Sequence, residues 1–144
     1  MINSILVPVD FSACSLAAVR YAARLCGEVD AKLTLLHVIE PHHVIAEMAA
    51  PEGATELEAL GCHAHGDANA AFKEVAAELG KLELEVHAGC STGHPRDAIV
   101  EAAAKCDLIV MGTHGRSGLR HVIMGSVAEQ VIRRASCPVL VVRQ

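Results

Sequence analysis

The sequence predicts an α/β fold: a single doubly wound, five-stranded parallel sheet with helices on both faces. Three observations predict it. Short apolar runs alternate with longer stretches of helical periodicity in the order β-α-β-α-β-α-β-α-β, and such alternation implies parallel strands joined by right-handed crossovers. The apolar content is 52% but the aromatic content only 2%, which suits aliphatic strands buried on both faces beneath Ala-rich helices. At 144 residues the chain closes one core and leaves no length for a second, so residues 1–144 are read as one domain.

The elements follow in order. Residues 4–9 (SILVPV) form a short apolar run ended by Asp10, a buried strand. Ser12 offers a helix cap, and Leu16, Val19, Ala23 and Cys26 recur at helical spacing until Gly27. KLTLLHVIE (32–40) is the second strand, stopped by Pro41; 42–53 is weakly patterned, a loop or short helix with Pro51 and Gly53 as breakers. Residues 54–80 favour helix through Leu57, Leu60, Phe72, Val75 and Leu79, with Gly61 and Gly66 placed to kink or divide it. LELEVHAG (82–89) alternates with a period of two, as an edge strand with one wet face does. Pro95 opens a helix at its tolerated first position, with Asp97 in the first turn. DLIVMG (107–112) is continuous apolar text and reads as a central strand; a helix from Ser126 to about Ala135 and a strand PVLVV (138–142) complete the chain.

Charge and targeting narrow the function. A net charge of −5, with no dense Lys/Arg run, argues against a nucleic-acid surface. Arg116, Arg120, Arg133 and Arg134 gather in the last third, either around one small anion or on a solvated helix face. No apolar stretch approaches the ~18 residues of a membrane helix, and MINSILVPVDF lacks a basic leader region, so the expected compartment is the cytoplasm. Six cysteines without a C-x-x-C pair are expected to be free thiols, Cys137 included.

A doubly wound sheet takes its ligand beyond the carboxyl ends of the strands where the strand order reverses. With the order 3-2-1-4-5, that point lies after Val9 and after Met111. After Met111 comes GTHGRSGLRHVIMGSVAEQ, with Gly112, Gly115 and Gly118 three apart and Gly125-Ser126 opening the next helix. Glycines permit positive φ and close approach, a helix N-terminus presents unpaired amides, and Arg116 and Ser126 add phosphate donors. A structural reading stands beside this one. Ser126 with Glu129 spells a capping box, and Asp10 can simply cap the helix after its strand. Neither G-x-x-x-x-G-K-[ST] nor G-x-G-x-x-G is present, which excludes a P-loop and a dinucleotide fingerprint.

Gly112-x-x-Gly115, nine residues, then Gly125-Ser126 resembles the G-2x-G-9x-G-[S/T] signature of the universal stress protein family. ILVPVDFS, GTHGRSGL and GSVAEQVIRRASCPVLVVR agree in order and spacing, and the likeness is weakest over about 42–80. The resemblance implies an adenine nucleotide alpha hydrolase-like sheet in the order 3-2-1-4-5 and the ATP-binding branch of the family. It implies that Pro8, Val9 and Asp10 meet ribose and adenine and that the Val38 backbone meets the adenine edge. Met111, Gly112, Gly115, Arg116, Gly125, Ser126 and Val127 would surround ribose and phosphates. It also implies a homodimer through the last strand, where PVLVV is an apolar edge that needs covering.

The expected function is therefore adenine-nucleotide binding in a regulatory, stress-response role with little or no turnover. One alternative is a slow ATP hydrolase with Mg²⁺ on the phosphates, His114 and His121 being the acid–base candidates. Another is a cyclic-AMP-binding member. A third comes from His42, His43, Cys62, His63 and His65, whose chemistry suits Zn²⁺ but whose spacing matches no standard finger; solvated helix residues explain them as well. His37 and His87, both in predicted strands, read as hydrogen-bonded structural histidines.

Overall fold

The computed structural model describes residues 1–41, 50–115 and 124–144. Its elements are β1 (Ser4–Pro8), α1 (Ala13–Val29), β2 (Lys32–Ile39), α2 (Glu56–Gly61), α3 (Asp67–Leu79), β3 (Val86–Thr92), α4 (Pro95–Ala103), β4 (Leu108–Gly112), α5 (Ser126–Arg134) and β5 (Val139–Val142). The five strands form one sheet in the order β3-β2-β1-β4-β5, every pairing parallel. This is the expected fold.

The period-two geometry of a strand divides the core between the two faces. Ile5, Val7, Leu33, Leu35 and Val110 turn to one face, where α1 and α3 cover them with Leu16, Val19, Phe72 and Val75. Leu6, Ile109 and Met111 turn to the other, against Ile99 and Ala103 of α4 and Ala128 and Val131 of α5. Ile5, Leu33, Leu35 and Ile109 are fully buried, and each such side chain contributes about 1.5–3 kcal/mol. Among the described residues no helix is long and apolar enough to cross a membrane.

Most boundaries fall within a residue of expectation; three do not. α1 runs through Gly27 to Val29 and ends where Asp30 takes the left-handed conformation at φ 56°, which a short polar side chain tolerates. The helical stretch after residue 54 is divided, as its glycines allow: Thr55 and Glu58 form a capping box for α2, and Gly66, at φ 58°, precedes α3. β3 begins at Val86, four residues later than the LELE alternation suggests, because its start is fixed by β2, with Leu33 opposite Val86. It is nonetheless an edge strand, and the Glu56 carboxylate of α2 accepts the Ala88 N–H at 2.9 Å, occupying a donor that an open edge would leave exposed. Residues 42–49, part of the weakly patterned segment, lie outside the described residues.

Candidate functional site

The switch point opens between β1 and β4, and Pro8 explains why. β1 pairs with β2 through five residue positions but with β4 through only two, Ile5 with Leu108 and Leu6 with Ile109. Successive residues of a strand direct their N–H and C=O groups to alternate sides. Asn3 O and Val9 N bond to β2, while Ser4 O bonds to Asp107 N beside β4, so residues 4, 6 and 8 face β4. Proline at position 8 removes the N–H that would carry that ladder further, and the two strands part. On the other side, Val9 N still reaches Leu36 O at 2.8 Å. Val38 has the orientation of Leu36, so its N–H and C=O point toward the side where β1 has already ended.

Beyond β1 the chain makes a tight turn. Asp10 Oδ1 accepts the Ser12 N–H at 2.9 Å, and the Ser12 hydroxyl accepts the Ser15 N–H at 3.2 Å as the N-cap of α1. Ser12 thus caps the helix as predicted, and Asp10 braces the cap from two residues upstream. Between them Phe11 is buried at φ 64°, a region that bulky residues rarely occupy. The sequence gives no hint of that conformation.

The exit from β4 is held by contacts that leave no room for side chains. A Cβ on Gly112 would lie 2.7 Å from Cys14 Sγ and 3.0 Å from the Cys14 carbonyl carbon and oxygen, so this glycine lets β4 press against the start of α1. A Cβ on Gly115 would lie 2.8 Å from Asp10 Oδ2, and one on Gly125 3.2 Å from Thr113 O. Positive φ occurs instead at Gly53, Gly66 and Gly93, so close approach and not an unusual backbone is what the three signature glycines provide. Thr113, which the sequence reading passed over, joins the two ends of the loop. Its N–H donates to Val142 O, its carbonyl accepts the Gly125 N–H at 2.7 Å, and its hydroxyl lies 3.0 Å from His114 Nδ1.

Ser126 is not a helix cap. Gly125 is the N-cap, offering no side-chain bond, and Glu129 turns away to Arg133 at 2.9 Å. The helix starts at Ser126 itself, and the Gly125 amide before it is committed to Thr113. The amides of Ser126, Val127 and Ala128 consequently have no acceptor within α5, and the Ser126 side chain is exposed beside them. Asp10, Gly115 and the start of α5 therefore meet at one crevice, while Met111 is buried in the core against α4 and α5. Arg116 lies outside the described residues, as do Gly118, Arg120 and His121.

Other candidates resolve differently. Arg133 and Arg134 occupy the last turn of α5 and pair with Glu129 and Asp97 on a solvated face, far along the helix from its anion-attracting end. Among the described residues no three His, Cys, Asp or Glu side chains converge as metal ligands. His42 and His43 lie outside them, Cys62 bonds to the Glu58 carbonyl, and His63 stacks toward His37. None of the six cysteines, all among the described residues, is in a disulfide. Burial pushes Cys26 up to about 11 and raises Cys106 and Cys137 as well, the mark of inert cysteines. His87 sits between Glu85 and Glu56, and its hydrogen bond to Glu85 raises its pKa; this exposed pair lies on the edge strand away from the crevice.

Fold and site together define a doubly wound α/β protein with a glycine-capped helix start at its switch point. The chain belongs to the universal stress protein family, whose model matches residues 1–143. It is 38% identical to universal stress protein MJ0531 of Methanocaldococcus jannaschii, across 99% of this chain and 82% of that protein. The solved structure of MJ0577, also from Methanocaldococcus jannaschii, superposes with a TM-score of 0.75 at 29% identity, covering 100% of this chain and 97% of the other. A universal stress protein solved in complex with cAMP superposes with a TM-score of 0.68 at 26% identity, covering 98% and 97%.

Proposed function

We propose that the crevice holds an adenine nucleotide, ATP foremost, and that the protein is a cytoplasmic regulatory binder with little or no turnover. The observation that carries this reading is the start of α5. Three amides without helical acceptors, preceded by a glycine cap and faced by side-chain-free Gly115, suit a phosphate group. The outward main chain of Val38 offers one donor and one acceptor in line, which match the paired acceptor and donor on the edge of adenine. Asp10, its Oδ2 turned toward Gly115, suits the ribose hydroxyls, since a carboxylate accepts from hydroxyls and repels phosphate. The complex of a similar protein with cAMP supports the adenine class and keeps a cyclic monophosphate as the second reading. Mg²⁺, where a triphosphate is bound, would rest mainly on the phosphate oxygens, with Asp10 the carboxylate at hand among the described residues.

Mass spectrometry of nucleotide released from the purified protein, followed by titration calorimetry with ATP, AMP and cAMP, tests this directly. Saturable ATP binding at one site per chain is expected; heat from none of the three would end the proposal. Turnover is judged separately. His114 Nδ1 lies against the Thr113 hydroxyl, and a single-turnover assay should release no phosphate stoichiometric with protein within minutes. Stoichiometric release abolished by His114→Ala would instead establish the hydrolase.

We also propose a homodimer through β5. This strand is the sheet's edge, and its four residues are only half-buried. Pro138 O and Val142 O bond toward β4, so Val139 and Val141 direct their N–H and C=O groups outward, as an unpaired template. Val141→Pro removes one outward donor while leaving the β4 ladder intact. Sedimentation should show wild type as a dimer and the variant as a monomer; a variant that still dimerises would move the interface elsewhere.

A further inference from the structure

We propose that His37 is a positioning residue for the nucleotide site, holding the Val9 carbonyl so that the Asp10 carboxylate keeps its place opposite Gly115. The inference rests on the nucleotide reading of that site. His37 Nδ1 lies 2.7 Å from Val9 O. A carbonyl only accepts, so Nδ1 carries the proton and donates. The neutral ring with hydrogen on Nδ1 and the charged ring both satisfy this bond.

The ring's own position is fixed from both sides. Its centroid stands 4.8 Å from that of Phe11 and 5.6 Å from that of His63. Phe11 in turn meets Phe72 edge to face at 5.2 Å, an arrangement aromatic quadrupoles favour. These contacts lie on the α1/α3 face of the sheet, since His37 continues the series Leu33 and Leu35, whereas Val38 belongs to the opposite face. His37 therefore acts on the nucleotide through Val9 and Asp10.

What the bond holds is a strained turn. Phe11 at φ 64° persists only where its surroundings determine it from several directions. Here they are the Val9 N–H on Leu36, the Val9 carbonyl on His37, the Asp10 carboxylate on Ser12 and the aromatic packing of Phe11. Loss of the second frees the peptide immediately before Asp10. The carboxylate then no longer has a fixed approach to Gly115, although the core beneath is unchanged.

Two substitutions separate the donor from the ring. His37→Asn presents an amide N–H the same number of bonds from the backbone as Nδ1, without the ring. His37→Phe keeps the ring and removes the donor. With both variants folded by circular dichroism, calorimetry should find ATP affinity within about threefold of wild type for Asn and about tenfold or more weaker for Phe. Equal affinity of the Phe variant and wild type, or an Asn variant as weak as Phe, overturns the proposal. A second readout needs no nucleotide. Long-range ¹H–¹⁵N spectra of the wild-type imidazole should show the Nδ1–H tautomer, and the Nε2–H tautomer would overturn the proposal. A protein that binds no nucleotide but shows Nδ1–H therefore loses the nucleotide reading while retaining the His37–Val9 bond.

Discussion

Gly112→Ala will lower the unfolding free energy by about 1–3 kcal/mol, the range for overpacking a filled interior. The new methyl would meet Cys14 Sγ at 2.7 Å and the Cys14 main chain at 3.0 Å. The thiol can rotate away; the carbonyl cannot, because it belongs to the first turn of α1, the helix whose Leu16, Ala18, Val19, Ala22 and Cys26 fill the core. Relief requires moving β4 or the start of α1, the one held by its strand neighbours and the other by its core packing. Thermal denaturation should register a fall of about 3 °C per kcal/mol for a chain of this size. Adding Cys14→Ala removes the sulfur contact but not the main-chain ones, so the double variant should recover only part of the loss. Wild-type stability for Gly112→Ala would mean that β4 and α1 are not in this contact. The first glycine of the signature is thereby accounted for by helix–strand packing, whatever the ligand.

The sequence carried the fold because the fold is written in local periods. Ile5 and Val7 against Leu6, and Val110 against Ile109 and Met111, divide between the faces as a period of two requires. Ser12, Gly66 and Pro95 mark helix starts through their own chemistry. The LELE alternation predicts β3 four residues too early because Gly89 and Ser91 lack strand preference and are extended by pairing with β2. The site was legible in outline, since glycines after a central strand point to a loop that approaches something closely. What they approach was not legible. Cys14 beside Gly112 and Asp10 beside Gly115 come from nearly a hundred positions or more away, and no local pattern records them. Thr113 and His37 were missed or read as ordinary for the same reason: each is defined by a carbonyl or amide supplied by another segment. The Ser126–Glu129 box failed because the tertiary bond from Gly125 to Thr113 overrode a valid local signal.

Gly115→Ala will do the opposite of Gly112→Ala, leaving stability near wild type and weakening nucleotide binding. Its Cβ would lie 2.8 Å from Asp10 Oδ2, the far end of a side chain and not backbone, so strain is relieved by turning the carboxylate. That turn is not neutral for the site. Asp10 Oδ1 is tied to the Ser12 N–H, and rotation must either break that bond or carry Oδ2 off the position from which it faces the loop. Loss of a hydrogen bond to a charged group is worth about 1.5–3 kcal/mol, which is roughly ten- to a hundredfold in affinity. Gly115→Val, with two further methyl groups crowding the Asp10 carboxylate, should abolish ATP binding measurable at micromolar protein. Asp10→Asn is the control: it keeps the size of the side chain, preserves an acceptor for Ser12, and loses the charge that favours ribose hydroxyls, so it should weaken ATP by a similar factor. Should Gly115→Val bind ATP as wild type does while remaining folded, the nucleotide does not lie between Asp10 and α5, and the amides at the start of that helix serve some other purpose.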